Sequence, residues 1–219
     1  MLNGNNFYPE DGGFTVNTDL EEANNEVKQK EPFSKRKELF EWLDVITLAL
    51  IIVVVIFGFL FRVATIEGDS MLNTLHGGEM VVISNFSYTP KYGDIVVISR
   101  NIENSTSAEA EGQGPIIKRI IATENQTVDI DFDKGIVYVD GVALNEDYIS
   151  TATTVKRDVE FPVTVPEGHV FVLGDNRRVS LDSRSSAIGE NGMIDERYIL
   201  GRAVFRVLPF KKMGSLTNK

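Results

Sequence analysis

The sequence predicts an all-β domain, barrel-like or sandwich, behind one N-terminal transmembrane helix. Three observations carry this. Residues 43–61 (LDVITLALIIVVVIFGFLF) form one apolar run long enough to cross a bilayer. Short β-patterned runs follow at 63–66, 79–84, 94–99, 116–121, 127–132, 136–139, 169–173 and 201–208. Turn chemistry separates them, as in Tyr92-Gly93-Asp94, Lys134-Gly135, Asp140-Gly141 and Pro166-Glu167-Gly168. Many short strands at close spacing are the signature of a barrel or sandwich.

The apolar run has no polar stripe, so it reads as a membrane span and not as a core helix. It exceeds the apolar segment of a secretory leader and no small-x-small site follows it, so it is expected to stay as an anchor. Lys28, Lys30, Lys35, Arg36 and Lys37 precede it, whereas Arg62 alone follows closely. The positive-inside rule therefore places the N-terminus in the cytoplasm and everything after Arg62 outside. Trp42 falls at the inner boundary, where an amphipathic indole is at home.

The 219 residues suffice for one folded domain with attachments. Residues 1–34 are polar, acidic and without apolar period, and read as a disordered cytoplasmic tail. Residues 35–62 are the juxtamembrane and transmembrane helix, 63–210 the extracytoplasmic β domain, and 211–219 a C-terminal tail. Within the domain, 101–114 (NIENSTSAEAEGQG) has the composition of a surface loop. Residues 126–166 carry their own hairpin signals and are expected to form a small β insertion. In 127–132 the alternation is clean, with Val128, Ile130 and Phe132 on one face and Asp129 and Asp131 on the other.

Composition narrows the chemistry. The chain has no cysteine, which excludes disulfides, thiol nucleophiles and thiolate metal sites. Its two histidines, His76 and His169, have no metal-ligand spacing with other candidates, so no metal or organic cofactor is expected. A net charge of -10 argues against a nucleic-acid partner. What remains is a serine and a lysine in two distinctive segments, Gly68-Asp69-Ser70-Met71-Leu72-Asn73-Thr74-Leu75 and Ile116-Ile117-Lys118-Arg119-Ile120-Ile121.

A serine hydroxyl becomes a good nucleophile when a nearby base takes its proton. A turn beginning at Asp69-Ser70 would expose that hydroxyl beside backbone N–H groups, as an oxyanion site requires; helix capping is the alternative reading of the same residues. In a strand, Ile116, Lys118 and Ile120 share a face, and the isoleucines would desolvate the ammonium and favour the neutral amine a general base needs. The ordinary alternative is an exposed edge charge. The third segment, Gly174-Asp175-Asn176-Arg177-Arg178-Val179-Ser180-Leu181-Asp182-Ser183-Arg184, is dense in mutually satisfying groups. It reads as a support shell, with Ser180 orienting the lysine amine and Asp182 paired to Arg184.

These segments in this order, behind one span, resemble the bacterial type I signal peptidases. The match comprises Ser70-Met71-x-x-Thr74-Leu75, Gly93-Asp94-Ile95-Val96-Val97, Lys118-Arg119, the segment from Gly174 with Ser180, Asp182, Ser183 and Arg184, and Gly201 with Phe205-Arg206. It covers residues 36–210. The related endoplasmic-reticulum subunits carry His in place of Lys118, so the bacterial class is indicated. The chain departs from the family's pattern at Asn73, where Pro is usual, and at Asn125-Gln126, where Gly-Asp is usual.

The resemblance implies the signal-peptidase and SOS-repressor β-fold and a Ser70–Lys118 dyad that removes signal peptides from secreted preproteins. It implies oxyanion and support roles for Gly68, Arg119, Asp175, Ser180, Asp182 and Arg184, and substrate pockets at Ile66, Met71, Leu75 and Ile117. Expected partners are the preproteins, the lipid bilayer and a secretion translocon; the expected place is the outer face of a bacterial cell membrane. The alternatives are an assembly factor or specialised protease for surface proteins such as pilins, a self-cleaving Ser/Lys protease, and a Ser–His–Asp triad using His76 or His169.

Overall fold

The computed structural model of the protein describes residues 35–59, 61–99 and 114–216. The expected tail at 1–34, all but the last residue of the 101–114 loop, and the end of the 211–219 tail lie outside them.

Helix α1 is Lys35–Phe59, 25 residues, or about 37 Å at the α-helical rise. Its stretch Arg36–Ile56 has a mean hydropathy of 2.6 and none of it is buried. The β-branched run from Ile51 to Ile56 favours strands in water, but in hydrocarbon only a helix satisfies its own backbone along a single span. Phe61, expected as the last residue of the span, instead opens strand β1 (Phe61–Thr65). The reason is a continuous antiparallel ladder to β2 (Met80–Ser84), beginning at the pair Phe61–Ser84.

The first sheet also contains β3 (Ile95–Ile98), β4 (Ile116–Thr123), β9 (His169–Leu173), β10 (Ile194–Asp195), β11 (Ile199–Leu208) and β12 (Gly214–Ser215). Its order is β1-β2-β11-β3-β4-β9-β10, with β12 on β11. The second, four-stranded sheet runs β7-β6-β5-β8, from β5 (Thr127–Asp131), β6 (Ile136–Val139), β7 (Val142–Ala143) and β8 (Val163–Thr164). It occupies the region read as an insertion. Its inward residues Val128, Ile130, Val137 and Val139 share one apolar cluster with Ile121, Phe171 and Leu173 of the first sheet. The two sheets are therefore built over common apolar ground.

Two features of the ladder position the site. β1 ends the first sheet, and among the described strands only β2 pairs with it. β4 pairs with β3 along Ile116 to Arg119, but β9 joins it only from Arg119 onward. Among the described residues, Ile116 and Ile117 therefore face no second strand on that side. A cleft of about 690 Å³ lies between β1 with its continuation and the start of β4.

Candidate active site

Ser70 sits at the end of that cleft, on a turn that follows β1. Gly68 enters the turn at φ +72°, a left-handed conformation that side-chain-bearing residues rarely adopt. The turn closes through Leu75 N–H to the Met71 carbonyl (2.8 Å) and is anchored by Met71 and Leu75, both buried in the cluster that holds Ile66, Ile95 and Ile117. From the other side, Asn176 N–H donates to the Ser70 carbonyl (2.9 Å) and Asn176 Nδ2 to the Asp69 carbonyl (3.1 Å). The Ser70 backbone is held on both flanks.

Lys118 comes from the middle of β4, opposite Val96. Its Nζ donates to Ser70 Oγ at 3.0 Å and to the Ile117 carbonyl at 2.9 Å. The residue is 4% exposed, and Ile116 and Ile120, on its own face of the strand, pack into one apolar cluster. Burial of this kind penalises the charged form of an amine.

Two buried ion pairs brace the surroundings. Arg119 grips Asp175 with Nε to Oδ1 (2.9 Å) and Nη2 to Oδ2 (2.7 Å), and stacks over the Tyr148 ring at 4.0 Å. Thr74 Oγ1 donates to the same Asp175 carboxylate at 2.5 Å, tying the turn that carries Ser70 to the pair. Arg184 grips Asp182 in the same two-pronged way, at 2.8 and 2.9 Å, with both side chains fully buried. Burial alone would push the Asp182 carboxyl up. The Arg184 hydrogen bonds and charge, with the Gly174 N–H, outweigh it and hold the carboxyl below its ordinary range. Such paired geometry, with the remaining lone pairs satisfied, is what makes a buried charge tolerable.

Comparison with known proteins agrees with this geometry. The family described as signal peptidase, peptidase S26, matches residues 39–208. The chain belongs to that family. Among relatives, this S26 peptidase is 34% identical over 197 residues to signal peptidase I of Bacillus licheniformis, covering 85% of this chain and 98% of the relative. It is 31% identical over 199 residues to signal peptidase I S of Bacillus subtilis, covering 84% and 97%. Against signal peptidase IB of Staphylococcus aureus the identity is 31% over 195 residues, covering 81% and 93%.

The fold brings Ser70 and Lys118 together, with Gly68 beside them on the cleft wall. Arg119, Asp175, Asp182 and Arg184 form the two pairs around them. Ser180 is buried, its hydroxyl helps to hold the Asp182 carboxyl low, and the Lys118 amine donates to the Ile117 carbonyl. Ser180 is also packed against Gly174, where any Cβ would collide with its hydroxyl.

The expected substrate-pocket residues divide. Ile66 and Ile117 line the cleft, whereas Met71 and Leu75 do not, because the turn aims them into the core. Neither histidine lines the cleft: His76 faces Glu79, and His169 lies by Glu190. At the departure from the family's Gly-Asp, Asn125 takes φ +64°, which Asn tolerates. Gln126 closes that turn through its Oε1 to Thr123 N–H (2.9 Å).

Three residues that the structure places in the support had no partner named from the sequence. Thr74 is one; it stood in the quoted motif but without a partner. Arg177 and Glu146 are the others. Arg177 is fully buried and donates to the Gly174 carbonyl (3.1 Å), to Thr153 Oγ1 (2.5 Å) and to both Glu146 oxygens (3.0 and 2.5 Å). No periodicity or spacing connects residues 146 and 177.

Proposed function

We propose that the chain is a membrane-anchored serine endopeptidase that removes N-terminal signal peptides from secreted preproteins, with Ser70 as nucleophile and Lys118 as general base. The observation that carries this is the 3.0 Å contact from Lys118 Nζ to Ser70 Oγ in a desolvated setting. The names of the relatives supply the substrate class. Membership of the family and one helix of membrane-spanning length and composition support anchoring. The basic residues before the span support a cytoplasmic N-terminus and a catalytic domain on the outer face of a bacterial membrane, where lipid and a secretion translocon would be neighbours.

In the first step neutral Lys118 takes the Ser70 proton as Oγ attacks the carbonyl carbon at the cleavage site. The carbonyl oxygen becomes an oxyanion beside the Ser70 N–H, which has no acceptor among the described residues. Collapse breaks the C–N bond, and the Lys118 ammonium returns its proton to the departing amine of the mature protein. Lys118 then deprotonates a water that attacks the acyl-enzyme. This releases the signal peptide as a carboxylic acid and restores Ser70. Asp175 with Arg119, and Asp182 with Arg184, hold the two loops that set this geometry.

The cleft between the continuation of β1 and the start of β4 suits an extended substrate docked as an added strand. Small residues at positions −1 and −3 would face Ile66 and Ile117, the apolar floor. The test is cleavage of a preprotein with an Ala-x-Ala site in detergent, by the natural chain, Ser70→Ala and Lys118→Met. Cleavage by the natural chain alone, rising with pH, is the expected result. Full activity in Lys118→Met would remove the lysine from its role, and no cleavage by any chain would overturn the function.

A further inference from the structure

The cleft carries charge that the dyad chemistry does not use. Among the described residues lining it, the charged ones are Lys118, Glu67 and Asp69. With Lys118 neutral, as the base must be, two negative charges and no positive one remain. Neither carboxylate has a hydrogen-bonding or ionic partner among the described residues. Elsewhere around the site Asp175, Asp182 and Glu146 are all matched to an arginine. The unmatched pair lies where substrate would lie.

The pleat says which substrate position meets it. Along β1 and its continuation Ile66 points inward at 3% exposure, and its sequence neighbours Thr65 and Glu67 point outward. The Glu67 carboxylate reaches across the cleft mouth, one oxygen 3.9 Å from where a Cβ on Gly114 would stand. A strand added to this edge shares the pleat, so residues facing Ile66 go inward and those between them go outward with Glu67. With positions −1 and −3 directed to the apolar floor, position −2 emerges beside Glu67.

We propose that Glu67, reinforced by Asp69, is a specificity-determining residue that selects preproteins with Lys or Arg at position −2 and disfavours those with Asp or Glu there. The proposal rests on the added-strand docking described above. An opposite-charge cross-strand pair changes binding by up to about fivefold, and a like-charge pair acts in the reverse direction. The substrate class is therefore a small-basic-small junction.

The test uses the full chain in detergent and three preproteins that differ only at −2: Ala-Lys-Ala, Ala-Gln-Ala and Ala-Glu-Ala. The readout is the ratio of kcat/KM for the Lys and Glu substrates, in the natural chain, Glu67→Gln and Glu67→Lys. The expected ratio is about fivefold or more at low salt, smaller in Glu67→Gln and inverted in Glu67→Lys. Raising salt to about 1 M, where the screening length is about 3 Å, should bring all ratios towards one. Equal cleavage of the Lys and Glu substrates at low salt overturns the proposal, as does a Lys preference that survives Glu67→Lys. If the Gln substrate is cut while these ratios stay at one, only the selectivity falls. If no substrate is cut, the proposed function falls with it.

Discussion

Replacing Glu146 with Ala would strip the Arg177 guanidinium of its counter-charge inside the protein. The Arg177 side chain is 0% exposed and that of Glu146 6%. Burial alone would lower the Arg177 pKa; the Glu146 carboxylate more than reverses this, which measures how much the cation depends on its partner. Breaking one side of such a buried pair costs about 3–5 kcal/mol. In a chain of this size each kcal/mol moves Tm by about 2–4 °C, so the shift should fall between about 6 and 20 °C. The assay is thermal unfolding of the full chain in detergent, followed by the near-ultraviolet signal of the β domain.

A double-mutant cycle separates coupling from simple packing loss. Arg177→Met alone strands the carboxylate, and the double change Glu146→Ala with Arg177→Met removes both charges. The double variant should lose much less than the sum of the single ones. A Tm shift below about 2 °C for Glu146→Ala, or strict additivity in the cycle, would refute the reasoning.

Gly174→Ala should be costly for a different reason. The added Cβ would meet the Ser180 hydroxyl and lie 2.5 Å from the Ser70 carbonyl oxygen. Overpacking of this kind costs about 1–3 kcal/mol, and because Ser70 must move, cleavage of an Ala-x-Ala preprotein should drop at least about tenfold; near-normal kcat would count against it. Asp182 predicts an acid limb in stability. Its folded pKa lies below the unfolded value of about 3.9, so its contribution is complete above about pH 4 and is lost as pH falls through the folded value. The Tm gap between the natural chain and Asp182→Asn should hold from pH 8 to pH 5 and narrow below pH 4. A gap unchanged at pH 3 would contradict the depressed pKa.

The parts of this fold that announce themselves in sequence do so through period and punctuation. Val128, Asp129 and Ile130 alternate, Gly135 and Gly141 mark turns, and the apolar helix needs no context. The two-residue strands β7, β8, β10 and β12 carry no period and exist only because a longer neighbour offers a ladder. The contact between Ser70 and Lys118 was legible because isoleucines flank Lys118 and Asp69-Ser70 reads as the start of a turn. Its supports were legible only in part. Asp182 and Arg184 are two residues apart and pair locally, whereas Glu146 and Arg177 are 31 residues apart and meet through tertiary folding. Ser180 was expected beside the lysine amine, and its packing against Gly174 is a tertiary contact that no spacing in the sequence reveals. Met71 and Leu75 were placed in the pocket through the family resemblance, and the turn after Ser70 buries them in the core.

Substrate docked as an added strand in the cleft, as proposed, must be polypeptide whose own backbone groups are still unspent. A junction already tucked into a finished domain has committed those groups internally and has nothing to offer either wall. Processing by this chain is thus a race. Secreted proteins that collapse slowly, or whose junction stays tethered near the bilayer, leave the necessary stretch available. One that completes its fold up to the junction hides it and would keep its leader, however suitable the residues around the bond.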